Sequence, residues 1–174
     1  MPSLITEYPQ FFTATNLEWK PLLKQDKYKD IIISSMEFLV KEKRVIIYGF
    51  VIMQNHLHTI WQMQPGIKRD AVQRDFLKFT AQKIKKDMVR FHKKELMQFK
   101  VNAEDRKFQF WERNPLSVDL WSWEVLIQKL KYLHLNPVRA GASTISEDYK
   151  YSSALFYETG VDNWSFLTHY NDGT

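Results

Sequence analysis

The sequence predicts an α+β domain: a ferredoxin-like split βαβ unit with a central antiparallel sheet and helices packed on one face of it. Two observations carry this. Apolar, β-branched and aromatic stretches alternate with stretches whose apolar residues recur at helical spacing, in the order strand, helix, strand, strand, helix, strand, helix. No internal repeat or low-complexity linker divides the 174 residues. A single domain over 1–174 is therefore expected, with its core at about 10–141 and a tail over 142–174 packed on it.

Gln10 to Trp19, QFFTATNLEW, is dense in aromatic and β-branched residues and reads as the first strand. From about Lys27 to Lys43, Ile31, Ile32, Met36, Leu39 and Val40 mark one face of an amphipathic helix. Arg44 to Met53, RVIIYGFVIM, is almost continuously apolar, as a covered central strand must be. Gln54 and Asn55 suit a turn, and Leu57 to Met63, LHTIWQM, alternates, so the second and third strands form a hairpin. Gln64-Pro65-Gly66 stops it.

A long helix follows from about Arg69 to Phe91, with Val72, Phe76, Phe79, Ile84, Met88 and Phe91 as its buried stripe. Lys107 to Trp111, KFQFW, reads as a short fourth strand, and Asn114-Pro115 opens a loop. The last helix is expected from about Ser122 to Asn136, ended by Pro137, which has no backbone N–H and disfavours helical geometry in the residue before it. The tail beyond Gly141 contains EDYKYSSALFY and is expected to pack across the sheet.

Composition narrows the chemistry. There are no cysteines, which excludes disulfides, a thiolate nucleophile and cysteine-bound metal and suits a reducing cytosol. The opening MPSLITEYPQ has no basic segment followed by an apolar one, and no stretch approaches the roughly 18 apolar residues of a membrane span. A soluble, cytoplasmic protein with no membrane partner is expected. Aromatics reach 15% and the net charge is +5, a pairing suited to single-stranded nucleic acid, where cations follow phosphates and rings stack on bases. Along the long helix Arg74, Lys78, Lys85, Lys86 and Arg90 are the candidates to face nucleic acid; a solvated basic face is the alternative.

Two of the five histidines sit in QNHLHT. On a strand, residues i and i+2 share a face, so His56 and His58 project side by side, about 6–7 Å apart at Cα. Their ring nitrogens can converge on one divalent cation, suiting Mn²⁺, Co²⁺, Ni²⁺ or Zn²⁺ better than Mg²⁺. Two ordinary half-buried histidines are the other reading.

The second informative stretch is KLKYLHLNPVRAG, from Lys129 to Gly141. Tyr132 and Asn136 lie one turn apart on a polar helix face with Glu124 and Gln128, while Val125, Leu126, Leu130 and Leu133 form the buried stripe. Tyr132 is an ordinary surface tyrosine unless a cation lies beside it, when its phenol can attack phosphorus. Asn136 either satisfies local backbone or offers an oxygen that completes a His-His-Asn ligand set. Arg139 either caps the helix end or holds a phosphate.

MQNHLHTIW, KYLHLNPVRAG and YKYSSALFY, with KFQFWERNP between the first two, together resemble the single-tyrosine HUH transposases, and within them the REP-associated tyrosine transposase branch. Three ordered blocks over about residues 10–157 carry the likeness. The resemblance implies a domain that cuts single-stranded DNA next to a hairpin and rejoins strands through a 5′-phosphotyrosine link and a free 3′-OH. It implies Mg²⁺ or Mn²⁺ held by His56 and His58 with Asn136 as third ligand, and Tyr132 as nucleophile. Gln54 departs from the family's usual proline, altering the hairpin turn but removing no ligand. The expected partner is single-stranded or hairpin DNA. Relatives of this type act as homodimers that exchange the tyrosine helix or as monomers, so both states stay open. A non-cleaving hairpin-binding protein and a hydrolase using water in place of Tyr132 are the competing functions.

Overall fold

The computed structural model describes residues 7–172; part of the opening segment, residues 1–6, lies outside them. Strands β1 (Gln10–Thr15), β2 (Val45–Ile52), β3 (His56–Met63) and β4 (Leu116–Asp119) form one sheet in the order β2-β3-β1-β4, antiparallel throughout. Helices α1 (Asp26–Lys41) and α2 (Arg69–Phe91) supply the split βαβ crossovers, a short α3 (Lys93–Leu96) follows, and α4 (Trp123–Arg139) and α5 (Ala154–Thr159) come after the sheet is complete. No helix among the described residues is long and apolar enough to cross a membrane.

The helices cover both faces of the sheet, which corrects the one-face expectation. Strand periodicity explains how. Phe12 and Ala14 of β1, with Leu57 and Trp61 of β3, point into a core closed by Ile32 and Met36 of α1 and Val72 and Phe76 of α2. Their neighbours Phe11 and Ile60 point the other way, into a second core closed by Leu126, Leu130 and Leu133 of α4. Each face is buried in its own layer, and for this reason β2 reads as a nearly continuous apolar run.

Three expected elements are corrected. KFQFW is not a strand. Phe110 and Trp111 are adjacent yet both buried in the α1/α2 core, which the alternation of a strand forbids, and the segment makes only single bridges, Phe108 to Lys100 and Trp111 to Asn16. The fourth strand is instead Leu116–Asp119, pairing Thr13 with Leu116 and Gln10 with Asp119 at the sheet edge. Its Leu116 and Val118 are exposed, so no apolar pattern announces it.

Along α2, Phe79 and Phe91 face solvent. Thr80 takes the inward position, bonding the Phe76 carbonyl at 2.9 Å and accepting the Trp111 indole N–H at 3.2 Å. Helix α4, finally, runs through Pro137 to Arg139. The proline sits in the last turn, where it removes the one bond its N–H would have made to the Leu133 carbonyl, and a Schellman closure follows: Gly141 N–H to Val138 O at 3.1 Å and Ala142 N–H to Pro137 O at 2.8 Å, with Gly141 at φ 73°.

The tail lines the outer edge of β2 and does not cross the sheet. Ile52 N–H reaches Tyr151 O (2.9 Å), Ser153 N–H reaches Phe50 O (3.0 Å) and Thr168 N–H reaches Ile47 O (2.9 Å), so backbone groups of an edge strand are paired. At the centre of that edge Gly49 permits close approach of α4. A Cβ there would lie 2.4 Å from Leu130 Cδ1 and 3.1 Å from Ser153 Oγ, both side chains being buried. Gly49→Ala is expected to cost about 1–3 kcal/mol, read as a lower denaturation midpoint at unchanged slope.

Candidate functional site

The β1/β3 register sets Thr13 opposite His58 and Thr15 opposite His56, on the face that α4 covers. His56 and His58 leave that face side by side, their ring centroids 5.0 Å apart. Each ring is fixed by a neighbour. Thr13 Oγ1 lies 2.7 Å from His58 Nδ1, and Asn55 Oδ1 lies 2.7 Å from His56 Nδ1. An N–H at each Nδ1 satisfies those oxygens and leaves both Nε2 lone pairs for another partner, the tautomer a metal-binding imidazole needs. Phe11 stacks on His58 at 4.9 Å, and Trp19 meets His56 edge-on at 5.7 Å.

This setting keeps both rings neutral. Burial pulls His56 below the ordinary histidine value. His58 is brought down to about 3, first by burial and then by the charges of His56 and Lys129. Neither imidazole competes with a proton for its lone pair near neutral pH.

Helix α4 brings the other residues. Ser122 caps its start by accepting the Val125 N–H at 3.2 Å, and Leu126, Leu130 and Leu133 seat it on the sheet. That seating turns the Tyr132 and Asn136 face toward the histidines. The Tyr132 ring lies 5.8 Å from His58 and 6.0 Å from Phe11, centroid to centroid, with the side chain 43% exposed and so open to a substrate. Asn136 Nδ2 lies 3.2 Å from His56 Nε2. Turning that amide end for end would face its oxygen to the same point. Among the described residues no three His, Cys, Asp or Glu gather around a potential ion, so an amide oxygen is the oxygen donor at hand.

Two cations flank the phenol. Lys129 Nζ is 5.5 Å from the Tyr132 ring centre and 5.2 Å from Phe11, and the Arg139 guanidinium is 5.3 Å from Tyr132. Arg139 stays close because α4 continues past Pro137. A phenol between two cations and beside two neutral imidazoles suits displacement at a phosphate, where negative charge must be offset. Sequence reasoning missed Thr13, Phe11 and Asn55, whose roles depend on pairing register. It also passed over Lys129, which stands one helical turn before Tyr132.

Arg74, Lys78, Lys85, Lys86 and Arg90 do not join this group. All five are exposed on α2, across the sheet from the histidines. Arg74, Lys78 and Lys85 border a groove of about 680 Å³ between α2 and residues 105–115, with Arg106, Arg113 and Phe108 on its other bank. Trp61 and Trp111 are buried, whereas Trp19, Trp121 and Trp123 are exposed.

No family profile and no curated protein matches the chain. Solved structures do. A REP-associated tyrosine transposase bound to a REP hairpin superposes with a TM-score of 0.67 at 14% identity, over 96% of this chain and 91% of that one, and so shares this fold. A transposase structure from Deinococcus radiodurans gives a TM-score of 0.47 at 10% identity, over 72% of this chain and 88% of that one.

Proposed function

We propose that this protein is a transposase of the single-tyrosine type, which nicks single-stranded DNA beside a hairpin and transfers the strand through a covalent 5′-phosphotyrosine. The observation that carries the proposal is the exposed Tyr132 ring 5.8 Å from His58, whose own ring stands 5.0 Å from His56, all within one chain. The shared fold with a hairpin-bound tyrosine transposase supports the same reading.

The donor set fits a divalent ion: two imidazoles whose Nδ1 positions are held by Thr13 and Asn55, and the Asn136 amide, which already lies against His56 Nε2. His56, His58 and Asn136 would hold Mn²⁺ or Mg²⁺, which supplies neutralisation of charge at the scissile phosphate. The chain's own groups do the rest. The Tyr132 oxygen attacks phosphorus, the phenol gives up its proton, the bond from phosphorus to the 3′ oxygen breaks, and that oxygen leaves as a 3′-OH. Arg139 and Lys129, each beside the phenol, would offset the charge that the non-bridging oxygens gain. Attack by another 3′-OH on the phosphotyrosine reverses the step and joins strands without ATP.

The test uses DNA hairpins with randomised single-stranded flanks, incubated with the protein and Mn²⁺. Label at the 3′ end should migrate with denatured protein, and label at the 5′ end should appear in a shortened strand ending in 3′-OH. Cleavage without a protein-bound strand would refute the covalent route.

Hairpin docking belongs to the α2 groove in this reading. The double change Lys78→Glu, Lys85→Glu is expected to weaken hairpin binding roughly 10- to 100-fold at low salt and to flatten the slope of log affinity against log salt by about two. Band-shift titrations at several salt concentrations measure both.

A further inference from the structure

The YKYSSALFY block and the histidine of KYLHLNPVRAG take no part in the chemistry above, yet they meet. His134 Nε2 lies 2.7 Å from Ser153 Oγ, and both residues are buried. Ser153 Oγ also accepts the Phe50 N–H of β2 at 2.9 Å, and the Ser153 N–H binds the Phe50 carbonyl at 3.0 Å. The Tyr157 ring of α5 packs 5.4 Å from His134, and its hydroxyl donates to the Tyr48 carbonyl at 2.7 Å. The tail thus grips the β2 backbone with one hand and α4 with the other.

We propose that His134 and Ser153 form a latch that fixes the roll of α4 about its axis, making His134 a positioning residue for Tyr132. The proposal rests on the reading of Tyr132 as nucleophile. The geometry gives it leverage. His134 and Tyr132 are two residues apart and so about 200° around the helix, on opposite flanks. Leu126, Leu130 and Leu133 form an apolar keel that sets the height of α4 above the sheet but resists rotation only weakly, because hydrophobic contact is non-directional. A hydrogen bond on one flank to a serine pinned to β2 stops that rotation. A roll that lifts His134 off Ser153 drives Tyr132 in the opposite sense, out of its present packing with Phe11 and His58. The notch at Gly49, which admits Leu130 beside Ser153, lets α4 come close enough for the bond to form.

The latch joins the second and third sequence blocks physically. Neither His134 nor Ser153 touches the site, so the tail acts on the reaction through the helix alone.

Two variants of the full chain test this. His134→Leu removes the hydrogen bond while keeping bulk, and His134→Gln offers an amide nitrogen near the position of Nε2. Both are compared with wild type, after thermal melts, in adduct formation at saturating hairpin DNA, in hairpin affinity, and in the proton Overhauser contact between the Tyr132 and His58 rings of the free protein. In His134→Leu the rate should fall about 10- to 100-fold, as expected when a nucleophile is displaced by about an ångström. Its hairpin affinity should stay within about twofold, since α2 lies on the other face, and the ring contact should weaken. His134→Gln should recover most of both. An unaltered ring contact in a folded His134→Leu would overturn the latch. So would equal losses in both variants. A wild type with the ring contact, sensitive to His134→Leu, but no adduct would leave the latch standing and remove the nucleophile reading.

Discussion

Tyr132→Phe is expected to abolish the protein–DNA adduct, by at least about 10³-fold, while leaving hairpin affinity within about twofold of wild type. The substitution deletes one oxygen and keeps the ring, so the contacts with Phe11 and His58 and the stacking of Lys129 and Arg139 survive. Nothing structural need change. The tyrosine is exposed, so stability should move by no more than about 0.5 kcal/mol. The measurement is the denatured-gel band carrying 3′ label, with a parallel band-shift for binding. Persistent cleavage in this variant would mean that water is the attacking group and that the site is a hydrolase. Unaltered hairpin binding with no adduct in either protein would favour a non-cleaving hairpin binder.

The parts of this site differed in how readily the sequence disclosed them, for a physical reason. His56 beside His58 and Tyr132 above Asn136 follow from the periods of strand and helix, which are local. Their convergence is not local. No spacing rule brings α4 over β3; the three-block resemblance pointed there, and the geometry assembles the four side chains in one place. Thr13 and Phe11 needed the β1/β3 register, fixed by two cores that form together.

Elements went astray where packing overrode pattern. KFQFW has the look of a strand, but its two inner aromatics are drawn into the same core, and the strand itself falls on LSVD, an exposed edge with almost nothing to bury. Pro137 reads as a stop and is tolerated in a last turn closed by Gly141 and Ala142. The basic helix carries the DNA-facing candidates, and periodicity alone does not say on which side of the sheet it lies relative to Tyr132. The sheet separates them, so the two can be disabled independently.

That separation sharpens the second large effect, expected from His58→Ala. His58 is 7% exposed, its Nδ1 is held by Thr13, and its ring lies 5.8 Å from that of Tyr132. Removing it takes away one of the two imidazoles proposed as ligands and the face on which Phe11 stacks, so adduct formation should fall by at least about 10²-fold. Thr13→Val supplies the graded comparison. It keeps shape and removes only the hydroxyl that orients His58, a loss expected to cost about 10- to 100-fold. The ranking wild type, Thr13→Val, His58→Ala, measured as adduct yield across a Mn²⁺ titration, is the signature of a ring that works through its free nitrogen. A metal requirement shifted to higher Mn²⁺ in Thr13→Val would follow from weakened orientation of one ligand. Hairpin affinity should not track the series, because α2 is untouched on the far face. If His58→Ala instead lowered binding and adduct together while Thr13→Val changed neither, the pair would be a buried support for the sheet and the chemistry would have to be sought elsewhere.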